Sequence, residues 1–132
     1  MRRLWRGPMS WLRTMRTLWK AQRRIGVARR LKREGRAMEA FRIVVDAFAG
    51  LRSVDIEVAK PAASTIMAFD TVLLDELARS VGHPNAAREE LAEALRFCEE
   101  AAAASPRLQS QMQQYIDWYR YRLGELGPGA VH

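Results

Sequence analysis

Residues 31–45 read Leu-Lys-Arg-Glu-Gly-Arg-Ala-Met-Glu-Ala-Phe-Arg-Ile-Val-Val. Gly35 is a natural left-handed cap for the helix before it, and a second helix resumes at once. That second helix covers about residues 37–52, with Phe41, Val44, Val45, Phe48 and Leu51 on one side at helical spacing. A cap followed at once by a new amphipathic segment predicts two successive helices with a short break. The rest of the chain repeats that grammar.

Working toward the N-terminus, the first helix is expected from near Ser10, after Gly7-Pro8, to Gly35. Toward the C-terminus, a third helix starts after Lys60-Pro61 and runs to about Val81, with Ile66, Phe69, Val72, Leu73, Leu77 and Val81 as its apolar positions. Gly82-His83-Pro84 breaks the chain. Asn85 is the expected N-cap of the fourth helix, whose stripe is Leu91, Leu95 and Cys98. Ser105 and Pro106 end it and open the fifth, with Leu108, Met112, Tyr115, Ile116, Tyr119 and Leu123 inside. Residues 53–58 alternate Val54, Ile56 and Val58 with polar residues but have no partner strand, so they read as a linker or helix end. The tail Gly127-Pro128-Gly129 is expected to fray. The fold class is therefore all-α, a bundle of about five antiparallel helices.

Two stretches resemble tetratricopeptide (TPR) repeats, the helix–turn–helix units of α-solenoids. Leu31 followed by Gly35-Arg36-Ala37-Met38-Glu39-Ala40-Phe41 is similar to the inter-helix turn, and Ala47 falls where the second helix carries a small residue. Gly82, Ala94, Ala101 and Pro106 match the family's glycine, two small-residue positions and closing proline. The fifth helix resembles the capping helix that ends such arrays. The two glycines are 47 residues apart against a family period of about 34, and Met38 and Asn85 stand where a tyrosine is common. The resemblance covers residues 24–126 and implies a protein-binding scaffold without catalysis.

Charge divides the chain differently. Thirteen of the first 36 residues are Arg or Lys and only Glu34 is acidic, so this arm carries +12 of a chain whose net charge is +7. Three of the four tryptophans, Trp5, Trp11 and Trp19, lie within it. The expected organisation is a basic amphipathic arm over residues 1–24, a TPR-like domain over 25–126 and a flexible tail over 127–132. On a helical wheel Leu4, Trp5, Trp11, Leu12, Met15, Leu18 and Trp19 share one arc, with Arg2, Arg6, Arg13, Arg16, Lys20 and Arg24 opposite and flanking. Further on, Val27, Ala28 and Leu31 occupy the formerly basic side. Either the helix kinks near Gly26, or residues 28–34 pack on the body while residues 4–19 face a separate partner.

A helix with Trp and Leu on one face and Arg on the other fits an anionic membrane surface, because indoles rest at headgroup depth and cations meet anionic lipid. Trp5, Trp11, Leu12, Met15, Leu18 and Trp19, with Arg13, Arg16 and Lys20, are the candidate contacts with a membrane or a larger complex. Packing of the same stripe inside the chain or in a homo-oligomer is the competing reading. RNA or ribosome contact rests on the same cations, but the aromatics form a coherent stripe where stacking platforms would be interleaved with charge. At the other end Tyr115, Trp118, Tyr119 and Tyr121 occupy nearly two faces of the last helix and are candidate partner anchors.

No catalytic constellation is visible, and no cofactor or metal is expected. His83 reads as a solvated turn residue, Cys98 as a small core residue, and Glu89-Glu90, Glu93 and Glu99-Glu100 as charged helix surface. The single cysteine permits no intramolecular disulfide and fits a reducing compartment. The expected location is cytoplasmic, with peripheral attachment at a membrane. The first 20 residues also resemble a cleaved transit segment in being Arg-rich and acid-poor, though Ser10 is their one serine.

Overall fold

A computed structural model describes residues 2–126, with side chains from Met9 onward. The side chain of Trp5 and the expected tail at 127–132 lie outside what is described. Six α-helices follow one another: α1 (Arg2–Arg33), α2 (Ala37–Arg52), α3 (Lys60–Phe69), α4 (Thr71–Ser80), α5 (Pro84–Ala104) and α6 (Gln109–Leu126). Short 3₁₀ turns at Glu57–Ala59 and Pro106–Leu108 lead into α3 and α6. Among the described residues there is no strand.

Gly35 and Gly82 close α1 and α4 in the same way. Both have positive φ, 80° and 79°. At the first turn the N–H of Arg36 donates to the Leu31 carbonyl and that of Gly35 to Lys32; at the second, His83 donates to Ala78 and Gly82 to Arg79. These paired bonds satisfy the last free carbonyls of each helix, and the left-handed residue reverses the chain. α1 therefore lies along α2, and α4 along α5. α2 also packs on α4, and α6 covers α5 and α3. The shared core is built on Phe48 and Leu51 of α2, Met67, Leu74 and Leu77 of α3 and α4, Leu91 of α5, and Met112 and Tyr119 of α6. Ala40, Ala47, Ala94 and Ala101 are buried where these helices meet.

Three boundaries differ from the sequence reading. The third expected helix is two, broken at Asp70 (φ −108°, ψ 17°), where the Asp70 N–H bonds to Met67 and the carboxylate turns inward to pair with Arg29 of α1. Thr71 ties the corner by donating its hydroxyl to the Ala68 carbonyl at 3.2 Å. In α5 the N-cap position belongs to His83, because Pro84 takes the first helical place and carries Asn85 into the turn. The third difference is in α1, which begins at Arg2 instead of near Ser10. Its buried stripe is Thr14, Leu18, Ala21, Ile25, Ala28 and Leu31. Spacings of three and four keep that stripe on one face, so body packing begins four turns earlier than the wheel of large residues indicates.

Candidate interaction surfaces

Because Thr14, Leu18, Ala21 and Ile25 meet the body, the remaining circumference of α1 is left outside it. Trp11, Met15 and Trp19 are spaced by four and form a ridge beside the buried stripe, with Leu12 next to them. Trp11 is 43% exposed and Trp19 60%. Arg13, Arg16 and Lys20 are also exposed and form a second ridge. Arg23 joins the two, its guanidinium 5.2 Å from the centroid of the Trp19 ring. Leu18 is the exception among the residues assigned to this surface. It is 8% exposed and belongs to the core, because its place on the helix lies between Thr14 and Ala21.

The flank of α1 that meets α2 contains a cleft of about 360 Å³, left open by the small residues Ala21, Ala47 and Gly50. Lys20, Arg24 and Asp46 line its mouth. The Arg24 Nε is buried there without a hydrogen-bond partner.

The aromatic group of α6 separates into three environments. Tyr119 is fully buried and donates its hydroxyl to the Ser64 carbonyl at 2.8 Å, so it is a core anchor and not a partner contact. Burial raises its phenol far above the usual range. Tyr115 is half-buried, its hydroxyl bonded to that of Thr65. Trp118 and Tyr121 are exposed, their rings 5.8 Å apart.

Trp118 and Tyr115 form one wall of a groove of about 480 Å³, and Ala68, Phe69 and Val72 form the other. Phe69 is 80% exposed and Val72 is 52% exposed. The sequence pattern placed both on an inner face. The buried positions 63, 67, 70, 74 and 77 keep helical spacing of three and four across the break, and Phe69 and Val72 fall outside that stripe.

His83 is exposed in its turn. Cys98 is buried, 3.2 Å from the Ser64 hydroxyl, and desolvation pushes its thiol up to about 11. Among the described residues no group of His, Cys, Asp and Glu could hold a metal, and no helix is long and apolar enough to cross a membrane. Comparison with protein-family models, curated proteins and solved structures finds no match to this chain.

Proposed function

We propose that the protein is a non-catalytic adaptor. In this reading its helical body is a TPR-like scaffold that grips a protein partner, and the outer face of α1 docks on an anionic membrane surface from the cytoplasmic side. One observation carries the membrane half: Trp11, Met15 and Trp19 form an exposed apolar ridge beside a ridge of Arg13, Arg16 and Lys20, on a helix whose inner face is already filled. Exposing two indoles forgoes several kcal/mol of burial, at roughly 1.5–3 kcal/mol for each large side chain, and a lipid interface recovers it. Each cation near an anionic leaflet adds about 1 kcal/mol. The scaffold half draws on the two positive-φ glycine turns and on the alanines buried between helices, the positions on which the TPR resemblance rests.

The test is co-sedimentation with phosphatidylserine-containing vesicles and, in parallel, binding to single-stranded RNA. Vesicle binding lost in a Trp11→Ala/Trp19→Ala double variant supports the reading. RNA binding that vanishes with added salt and ignores the two indoles, without vesicle binding, replaces it with a nucleic-acid function.

A further inference from the structure

The corner between α3 and α4 inverts the usual assignment of side chains to inside and outside. Asp70 is buried against Arg29, while its neighbour Phe69 is the most exposed large apolar side chain among the described residues. Nothing about folding alone requires this. A carboxylate is costly to bury, and an exposed phenyl ring gives up most of its burial energy. The corner is nevertheless tied by the Arg29–Asp70 pair and the Thr71 hydroxyl, and the lining of the groove by the Tyr115–Thr65 hydrogen bond. The groove is therefore preformed, which lowers the ordering cost of anything that binds in it. Its volume of about 480 Å³ falls within the range of about 300–1,000 Å³ typical of pockets that enclose a ligand.

Charge specifies the occupant further. An adjoining cleft shares Phe69 and Val72 and brings up Arg29, Lys32 and Arg33 from the C-terminal end of α1. Asp70 pairs with Arg29, and Glu76 pairs with Lys32 at 3.2 Å. Two acids against three cations leave the rim net positive.

The geometry points to this groove as the docking site for an acidic amphipathic helix of a partner protein, its large apolar side chains seated between Phe69, Val72 and Trp118 and its carboxylates facing Arg33 and Lys32. Helices in grooves are read through apolar anchors spaced three or four apart, and a net positive rim selects for acids beside them. The inference rests on the reading of the body as a protein-binding scaffold and adds the site and the chemistry of the partner.

A display library of random 16-residue peptides, panned against the full chain, tests it. The enriched peptides are expected to carry net negative charge and paired large apolar residues three or four apart. They are expected to bind at least ten-fold more weakly to Phe69→Ser and Trp118→Ala, and several-fold more weakly to Arg33→Glu. The exposure of Phe69 and Arg33 keeps those variants folded, checked by an unchanged thermal transition. Trp118 is less exposed, so a Phe69→Ser result stands alone if Trp118→Ala unfolds. Enriched peptides indifferent to Phe69→Ser overturn the site and leave the scaffold reading standing. Neutral or basic enriched peptides overturn the partner chemistry. If no peptide is enriched anywhere on the chain, the scaffold reading falls with the groove. If Phe69→Ser removes vesicle binding, the corner is a lipid contact and the proposal is wrong.

Discussion

Asp70 turns its carboxylate inward and Phe69, next to it, turns its ring out, and each choice has a measurable consequence. Burial raises the Asp70 carboxyl above its ordinary value, with Arg29 opposing the shift only in part. A carboxyl that titrates higher in the folded state than in the unfolded one favours folding when protonated. Its contribution is complete below the unfolded value and is lost as pH rises through the folded one. Asp70→Asn removes that dependence. Its stability relative to the parent should therefore rise between about pH 3 and pH 7, measured by urea unfolding across that range. A difference that shrinks with pH would falsify the claim that desolvation outweighs Arg29. The Arg29 guanidinium left behind is about half exposed, 49%, so it is not stranded as a buried charge. Cys98 is the second case. Its thiol lies in the core beside Ser64 and is raised to about 11, so at neutral pH almost none of it is thiolate. An excess of maleimide should leave it unmodified in the native protein and modify it fully in denaturant. Rapid native labelling would show that the α3–α5 contact opens. The sequence already indicated burial of Cys98 through its apolar stripe. It gave no hint of Ser64 as partner, because that contact joins residues 34 apart.

At the scale of the element, α1 shows how a wheel of large residues misleads. Trp11, Trp19 and Met15 dominate such a wheel and point outward. The face that packs is made of Thr14, Leu18, Ala21, Ile25, Ala28 and Leu31, three of them too small or too polar to count as a hydrophobic signal. Small residues win there because α2 approaches closely through Ala40 and Ala47. Leu18 and Trp19 are adjacent in sequence and opposite in role. Leu18→Ala should destabilise the fold by about 2–4 kcal/mol, while Trp19→Ala should change stability by under about 1 kcal/mol and act on surface binding alone. Equal losses in urea unfolding would mean that the indole is a core residue. Gly26 adds a second check. Its helix is unbroken, and a Cβ placed there meets nothing within 4 Å. Gly26→Ala should therefore stabilise by about 0.5–1 kcal/mol, since a helical glycine loses more chain entropy than alanine on folding. A bent helix that needed its glycine would respond with the opposite sign. The boundaries that capping chemistry controls were legible: Gly35, α2 and the Ser105-Pro106 turn all stand where the residues place them. The break at Asp70 was not, because the contact of Asp70 with Arg29 joins residues 41 apart, and no local pattern carries that information.

For the whole molecule, charge and shape act on different length scales. The first 36 residues carry +12 and the rest −5, yet the helix that holds most of this charge is packed into the body along its inner face. From Thr14 onward the inner face of α1 is buried, and the charge asymmetry becomes a property of its outer surface. A unit with one cationic, indole-bearing face should bind an anionic bilayer through two separable contributions. The electrostatic one is screened over about 8 Å at physiological salt and over less at higher salt, whereas the apolar one is not. Replacing Arg13, Arg16 and Lys20 by Gln removes about 3 kcal/mol at about 1 kcal/mol each, or roughly 100-fold in partitioning to phosphatidylserine vesicles at low salt. At about 0.5 M salt the same triple variant should differ little from the parent, because screening has already removed what the substitutions remove. The Trp11→Ala/Trp19→Ala variant should lose partitioning at both salt concentrations. Partitioning that depends on salt in the indole variant but not in the parent would invert that order, and would mean that the cations of α1 act on something other than the lipid its tryptophans enter.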